Sequence, residues 1–332
     1  MDHLPMPTQP QRSPDRGAIW LGLLILYVVW GSTYLGIAVA VETIPPFLMA
    51  AIRFAIAGAV LVAWSILRAR GSFAWPSRRE WRDTIIVGTL LLGGGMGMVA
   101  YGEQTIPSGI AALLIAMMPV WVAIFGRVFL GESLPRLAGV GIVVGFVGVA
   151  ILVGPTILGQ AGSLDPAGLA AIIVSPIAWS LGSLYASHRA MLPRQPLVAT
   201  GAQMLAGGAV LAMMAGVTGE FGRFDPAAVS RDSIVAVVYL TVIGSLLAFT
   251  AYGWLLRVAP LPLIATYAYV NPVVAVILGA FVRHEPIDPR TLVAGAVIVG
   301  AVALIVTARG RMRAPAVRSS GAPSPAPATV RT

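Results

Sequence analysis

Ten apolar segments of about 20 residues constrain the fold of this chain more than any other feature. A helix that crosses the hydrocarbon core of a membrane needs about 20 mostly apolar residues, and only 11% of the 332 residues here are charged. We therefore predict an all-α membrane protein with ten transmembrane helices. The predicted spans are 18–38, 46–67, 84–104, 108–129, 137–154, 167–187, 197–217, 233–254, 262–282 and 291–308.

Arginine placement predicts which end of each span faces the cytoplasm, because short cytoplasmic loops carry an excess of positive charge. All 22 basic residues are arginine. With the N-terminus inside, 17 of them fall in cytoplasmic segments, four in external loops and one, Arg53, within the second span. We therefore predict a multi-pass protein of the cell inner (plasma) membrane with both termini cytoplasmic.

The two halves of the chain repeat each other. Segment 119–136 recurs as 272–290, where Pro119 matches Pro272 at an offset of 153 residues. Each half carries five predicted spans, an odd number, so the second half must enter the membrane from the opposite face. This pattern predicts two inverted repeats. The predicted domains are a disordered cytoplasmic tail (1–17), a first repeat (18–155), a second repeat (156–308) and another disordered cytoplasmic tail (309–332).

Composition excludes several chemistries. The chain has no cysteine, which removes thiolate nucleophiles, disulfides and iron–sulfur clusters. It has no lysine, which removes the P-loop lysine of nucleotide-driven pumps. Its three histidines lack metal-ligand spacing. We predict a protein that is not an enzyme, holds no cofactor or metal, and binds no nucleic acid, because membrane topology accounts for the net charge of +9.

Several motifs lie along these spans. They are Trp30-Gly31-Ser32-Thr33-Tyr34, Arg53-Phe54, Pro107-Ser108-Gly109-Ile110-Ala111-Ala112 with Met118-Pro119, Gly131-Glu132, and Tyr267-Ala268-Tyr269-Val270-Asn271-Pro272-Val273. Together they resemble the EamA-type transporters of the drug/metabolite transporter superfamily over residues 18–308, and most of all its amino-acid and metabolite exporter branch. The resemblance implies a central cavity between two inverted five-helix repeats, and export of amino acids, related metabolites or toxic compounds.

Polar and aromatic side chains within the spans are the candidates for substrate binding, because such groups face the bundle interior or a wet cavity. Trp30 and Trp179 lie too deep to be interfacial anchors, and Tyr267 shares a helix face with Asn271. Helix packing is the alternative explanation for these residues. The predicted substrate-binding residues are Trp30, Tyr34, Tyr101, Met118, Trp179, Ser183, Tyr185, Tyr267, Tyr269 and Asn271.

Charged residues and prolines within the spans suggest coupling and hinge roles. Arg53 and Glu103, the latter followed by Gln104, either form a structural ion pair or, in the functional alternative, make Glu103 a proton-linked or amine-binding acid. Pro119 and Pro272 are predicted hinges, because proline frees backbone groups of the preceding turn. A bend tolerated for packing is the alternative for both prolines.

Two further features are predicted to be structural. The glycine-rich run 93–97 follows no strand and lies within a span, so we expect it to allow close helix packing. Glu132 and Glu285 precede Arg136 and Arg290 near predicted helix ends, where we expect ion pairs.

These features favour a secondary transporter that exports small amphipathic metabolites, most of all amino acids of broad specificity, by alternating access. Its partners would be a small-molecule substrate and the lipid bilayer, and it would act as a monomer or homodimer. One alternative is an exchanger of nucleotide sugars or other metabolites and drugs, but phosphate calls for cationic groups at mid-membrane and the spans offer only Arg53. A remote alternative is an intramembrane enzyme, although no histidine or aspartate occurs in a predicted span.

Overall fold

A computed structural model describes residues 16–69, 71, 73–157, 164–259, 261–264 and 266–313. Within these residues the chain forms helices joined by short loops and contains no strand. The prediction of an all-α protein is confirmed. The tails proposed for the two ends of the chain lie outside the described residues, apart from Arg16, Gly17 and the stretch 309–313, which continue the first and last helices.

The prediction of ten membrane helices is also confirmed. Within the part of the chain that the structure describes, nine helices are long and apolar enough to cross a membrane, and a tenth, Tyr267–Arg283, is a shorter apolar helix. We call the two ends of the bundle the Arg16 end and the Ala40 end, after the first and last residues of the first helix. The helices are α1 (Arg16–Ala40), α2 (Pro46–Arg68), α3 (Arg78–Gly102), α4 (Ser108–Leu130), α5 (Arg136–Gly154), α6 (Pro166–His188), α7 (Pro196–Val217), α8 (Arg231–Tyr252), α9 (Tyr267–Arg283) and α10 (Pro289–Arg309).

Local sequence explains where several helices begin. Pro46, Pro166 and Pro196 each occupy the first position of a helix, where the missing backbone N–H costs nothing. Ser77 and Glu80 form a capping box, in which the Ser77 N–H donates to Glu80 Oε2 (2.7 Å) and the Glu80 N–H donates to Ser77 Oγ (3.3 Å). As a result, α3 begins at Arg78, before the predicted start of the third span.

Three helices contain π-helical segments, which hold more residues per turn than an α-helix. One segment, Leu26–Trp30, lies in α1. The other two, Thr89–Gly97 in α3 and Leu240–Leu247 in α8, occupy equivalent places in the two repeats when Tyr101 is matched with Tyr252. The repeat is therefore visible in backbone geometry as well as in sequence.

Equivalent helices of the two halves pack against each other through glycines. A Cβ atom at Gly58 of α2 would lie 2.7 Å from the carbonyl oxygen of Gly201 on α7. One at Gly141 of α5 would lie 3.0 Å from the carbonyl oxygen of Ala301 on α10. These close approaches join α2 to α7 and α5 to α10, as expected for two inverted five-helix repeats about a pseudo-two-fold axis.

Glutamates from the second half cap helices of the first half at the Ala40 end. Glu220 accepts a hydrogen bond from the backbone N–H of Leu48 (2.8 Å), near the start of α2. Glu285 accepts from both the backbone N–H (3.0 Å) and the hydroxyl (2.8 Å) of Ser108, at the start of α4. A carboxylate is favourable at a helix N-terminus because the free N–H groups and the helix dipole attract it.

The ion pairs expected in the corresponding loops differ from those that form. Because Glu285 caps the N-terminus of α4, Arg290 pairs with Asp288 instead (3.6 Å). Glu132 pairs with Arg309 of α10 at the Arg16 end. We predicted that each glutamate pairs with the arginine nearest in sequence, but the fold brings a helix N-terminus closer to Glu285 and an arginine distant in sequence closer to Glu132.

Candidate substrate cavity

A cavity of about 100 Å³ lies between the two halves of the bundle, lined by four helices of the first repeat and three of the second. Trp30 in its wall comes 14 residues after Arg16, a rise of about 21 Å at 1.5 Å per residue, so the cavity is near mid-span. Its lining residues are Trp30, Thr33, Tyr34, Ile37, Arg53, Phe54, Met96, Val99, Ile115, Met118, Ser175, Pro176, Trp179, Phe249, Tyr267 and Asn271.

The structure brings seven of the residues singled out in the sequence into this one wall. Two of the three pairs in which candidates share a helix face, Trp30 with Tyr34 and Tyr267 with Asn271, lie together there, whereas Ser183, one turn from Trp179, is outside the lining. The seven residues are Trp30, Tyr34, Arg53, Met118, Trp179, Tyr267 and Asn271.

Trp30 is the centre of an aromatic cluster that joins α1 to α8 and α9. Its ring centroid lies 5.6 Å from that of Phe249, 5.3 Å from that of Tyr252 and 5.0 Å from that of Tyr267. The contacts to Phe249 and Tyr267 are edge-to-face, a favourable arrangement of aromatic quadrupoles. The second repeat thus holds the tryptophan of the first at a fixed place in the cavity.

Trp179 is positioned by the glycine-rich run of α3. A Cβ atom at Gly95 would lie 2.8 Å from Trp179 Cε3, and one at Gly94 would lie 2.8 Å from the Cβ of Ala178. Next to the indole, the Ser180 hydroxyl donates to the carbonyl oxygen of Met118 (3.1 Å) and ties α6 to α4. The glycines therefore permit the close helix packing that the sequence predicted.

Arg53 is a buried cation in the cavity wall. It is 3% exposed, its Nε donates to the Ser245 hydroxyl (2.9 Å), and its guanidinium carbon lies 4.8 Å from the centre of the Phe54 ring. The suggested pairing with Glu103 does not occur, since Arg53 forms no ion pair with any described residue. Arg53 reaches sideways to α8, whereas Glu103 lies beyond the end of α3 at the Ala40 end.

Three buried polar side chains, those of Thr84, Glu103 and Asn271, have oxygens without a hydrogen-bond partner among the described residues. Asn271, 7% exposed, has a buried Oδ1 of this kind in the cavity wall. Glu103, 5% exposed, has two, and it lies outside the cavity lining. A buried polar group without a partner is costly, so such groups are candidates for binding a ligand or a proton.

The two prolines predicted as hinges lie next to the cavity without lining it. Helix α4 consists of Ser108–Ile115 and Met118–Leu130, and Pro119 is the second residue of the later segment. Pro272 lies within α9. The wall residues Met118 and Asn271 immediately precede these prolines, so backbone movement at either would move the wall.

Other predicted site residues lie away from the cavity. Tyr101 and Gln104 line a separate depression of about 440 Å³ at the Ala40 end, where Tyr101 stacks on Phe47 with ring centroids 5.7 Å apart. Tyr185 donates its hydroxyl to Asp83 (2.9 Å) near the Arg16 end. The predicted residues outside the cavity lining are Tyr101, Glu103, Gln104, Ser183, Tyr185 and Tyr269.

Nine lining residues were not among the predicted site residues. Ser175 and Pro176 offered a signal, since a polar residue and a proline stand together in the middle of an apolar span. Thr33, one turn from Trp30, offered a weaker one. Aliphatic residues such as Ile37 carry no signal of their own. No group of three or more metal-ligand side chains occurs among the residues that the structure describes.

Comparisons with known proteins agree with this architecture. The EamA-like transporter family matches residues 16–154 and 166–307. The chain is 39% identical over 286 residues to "Uncharacterized inner membrane transporter YedA" of Escherichia coli (strain K12), covering 85% of this chain and 89% of the relative. It is 24% identical over 309 residues to "Uncharacterized transporter YvbV" of Bacillus subtilis (strain 168), covering 92% and 97%.

A solved crystal structure of a protein 23% identical in sequence shares the fold, with a TM-score of 0.60 over 90% of this chain and 100% of that one. The family match covers both halves of the bundle and nearly all of its membrane helices. The chain belongs to the EamA-like transporter family.

Proposed function

We propose that this transporter exports small amphipathic metabolites, most of all amino acids of broad specificity, by alternating access. The observation that carries the proposal is the cavity near mid-span, whose wall combines aromatic and polar side chains from both inverted repeats. Binding at the interface of inverted repeats allows one structure to open to either side as the repeats rock against each other.

The size and chemistry of the cavity favour amino acids over nucleotide sugars. Its volume of about 100 Å³ is below the range of about 300–1,000 Å³ typical of pockets for drug-sized ligands. Arg53 is the one basic residue in its described lining, fewer than a diphosphate would need. Met96 and Met118 offer a soft apolar surface that discriminates weakly between side chains of similar size.

We place the protein in the inner membrane with the Arg16 end and both termini in the cytoplasm. The arginine distribution supports this orientation, with 17 residues on the proposed inner side and four on the outer. The name of the 39% identical relative from Escherichia coli, an inner membrane transporter, supports the compartment.

Glu103 is the proposed site of coupling, and Pro119 and Pro272 are the proposed hinges. Glu103 is 5% exposed, and its carboxylate oxygens have no hydrogen-bond partner in the described chain. Protonation would remove the cost of burying its charge. Tyr101 and Gln104, in the depression at the Ala40 end, would contact cargo on its way out.

Counterflow into proteoliposomes tests the function. Vesicles containing the purified protein are loaded in turn with an excess of unlabelled leucine, phenylalanine, threonine or a nucleotide sugar, and uptake of the labelled form of the same compound is measured. We expect uptake of several amino acids above that of protein-free vesicles, and none of the nucleotide sugar. Counterflow of the nucleotide sugar alone would contradict the proposal.

A further inference from the structure

Arg53 forms no ion pair with an acidic residue among those that the structure describes. Of the five N–H donors of a guanidinium, Nε is bonded to the hydroxyl of Ser245, a neutral group. A buried charge is costly unless it is paired. The cavity that Arg53 lines therefore holds a cation suited to an anionic partner.

Four glutamates at the Ala40 end do not pair with Arg53, and three of them are engaged elsewhere. Glu220 caps α2, Glu285 caps α4, and Glu42 pairs with Arg283. Glu103 forms neither a hydrogen bond nor an ion pair within the described chain. None of these acids neutralises Arg53, so its partner is to be sought in the cavity.

A second, independent observation lies in the same wall. The Oδ1 atom of Asn271 is a buried hydrogen-bond acceptor without a partner in the described chain. Acceptors of this kind suit N–H donors, including an ammonium group. One cavity thus offers a cation on α2 and an unused acceptor on α9, complementary to the two charged groups of a zwitterion.

Comparison of the two repeats shows that the buried cation is present in the first repeat and absent from the equivalent position of the second. Helices α2 and α7 both begin at a proline, Pro46 and Pro196, and seven residues later the first has Arg53 and the second Gln203. Gln203 is absent from the described cavity lining. The repeat therefore supplies a matched, uncharged position for comparison.

We propose that Arg53 binds the carboxylate of the cargo and Asn271 its ammonium group, so that the substrates are compounds carrying a free α-carboxylate. This inference rests on the proposed function, since it names the chemical class that the cavity accepts. The planar fork of arginine binds carboxylate with two parallel hydrogen bonds, which lysine does not reproduce.

Binding of matched acids and amides tests the role of Arg53. Purified protein in lipid nanodiscs is titrated with leucine, leucinamide, phenylalanine and phenylalaninamide, and quenching of intrinsic tryptophan fluorescence is recorded. We expect each acid to bind at least about tenfold more tightly than its amide, the size of one lost charge-assisted hydrogen bond. The ratio should fall to about one in Arg53→Gln, fall partly in Arg53→Lys, and stay unchanged in the matched variant Gln203→Ala.

A separate binding experiment tests the role of Asn271. In Asn271→Leu, which removes the acceptor and keeps similar volume, the preference for leucine over isocaproate, its deaminated analogue, should decrease. An unchanged preference would remove Asn271 from the proposal.

Each outcome of these titrations either supports or contradicts the proposed role of Arg53. Wild-type protein that binds amides as tightly as acids, or that binds none of the acids, overturns the role of Arg53, as does an Arg53→Gln variant with an unchanged ratio. If gel filtration and circular dichroism show that Arg53→Gln does not fold, the role of Arg53 is still tested by the ratio of acid to amide affinity in Arg53→Lys and in the wild type. If binding depends on Arg53 but no counterflow is seen, the proposed transport function is wrong and the role of Arg53 in binding stands. If amino acids show counterflow but the preference for acids over amides does not depend on Arg53, the role of Arg53 is wrong and the transport function stands.

Discussion

The indole of Trp179 lies against Gly95 so closely that a single added carbon would touch it, 2.8 Å from Cε3. Real Cβ contacts are essentially never this short, so Gly95→Ala must displace either the ring or α3. We expect the variant to weaken leucine binding about tenfold or more, a cost of about 1.4 kcal/mol, while the protein still inserts and folds. Tryptophan fluorescence titration and gel filtration measure the two effects.

A matched alanine substitution separates this steric effect from a general effect on helices. Gly139 of α5 has no heavy atom within 4 Å of a Cβ built on it. Because alanine is the better helix former, Gly139→Ala should leave binding unchanged and stability the same or higher. Equal binding losses in both variants would refute the steric explanation.

Replacing either of the two cavity tryptophans should strongly reduce transport without preventing folding. Trp30→Ala and Trp179→Ala each remove a large aromatic surface from the cavity wall, and we expect at least about tenfold lower amino-acid counterflow. Trp121 is the control, because it packs on Phe125 and Phe146, with ring centroids 5.7 Å away in each case, and does not line the cavity. Trp121→Ala should lose stability, measured by thermal unfolding in detergent, but keep counterflow. Wild-type rates in both cavity variants would exclude these residues from the site.

Hydropathy and the internal repeat were sufficient to predict the architecture, while the orientation predicted from the arginine bias stays a prediction. Each depends on an average over many residues or on a match between distant segments, so errors at single positions matter little. The short helix α9 is the exception, because the break before Tyr267 depends on local backbone geometry that the apolar pattern does not contain.

The sequence pattern led to residues that line the cavity where two candidates lie one turn apart on an inward-facing side of a helix, as Trp30 and Tyr34 do. It did not reveal the environment of a residue whose contacts come from a neighbouring helix. Tyr185 was predicted to bind substrate, but its hydroxyl donates to Asp83 of α3 (2.9 Å). Arg53 looked like a partner of Glu103, but α8 brings Ser245 to its Nε. The π-helical segments shift side chains around α1, α3 and α8, and no 3.6-residue pattern reveals them.

Replacing Glu103 by glutamine should change how transport depends on pH. Buried carboxyl groups can titrate near neutral pH, and glutamine mimics the protonated form permanently. If Glu103 couples transport to protons, the rate of counterflow in Glu103→Gln should vary less between about pH 5 and 8 than it does in the wild type. Asp225→Asn, a change in an exposed loop, should keep the wild-type profile. An unaltered profile in Glu103→Gln would favour facilitated diffusion.

Asp288 should stabilise α10 in a pH-dependent way. The backbone N–H of Thr291 donates to Asp288 Oδ1 (2.6 Å) and holds the pKa of this carboxyl below its usual range. A lowered pKa means that the stabilisation is complete above the unfolded-state value and is lost as pH falls through the folded-state value. Asp288→Ala should therefore cost about 0.5–2 kcal/mol at neutral pH and progressively less in acid. Thermal unfolding in detergent measures this, with Asp288→Asn as the control that keeps the cap without the titration.

The proposed orientation can be tested with single cysteines, because the natural chain has none. Trp75, in the loop between α2 and α3, is 68% exposed, and Gly222, in the loop between α7 and α8, has open space around it. In intact cells a membrane-impermeant maleimide should label Gly222→Cys, whereas Trp75→Cys should react only after permeabilisation. Labelling of both variants from one side would refute the inverted arrangement, and the reverse pattern would place the termini outside.

The matching π segments of α3 and α8 also bear on the ancestry of this protein. Because both helices carry them at equivalent places, the simplest history has a π-helical segment in a single five-helix ancestor before duplication and fusion. Arg53 and Gln203 differ at equivalent places, so the charge on one side arose or disappeared after that event. On this history the shared backbone geometry is older than the charge that we propose selects the cargo.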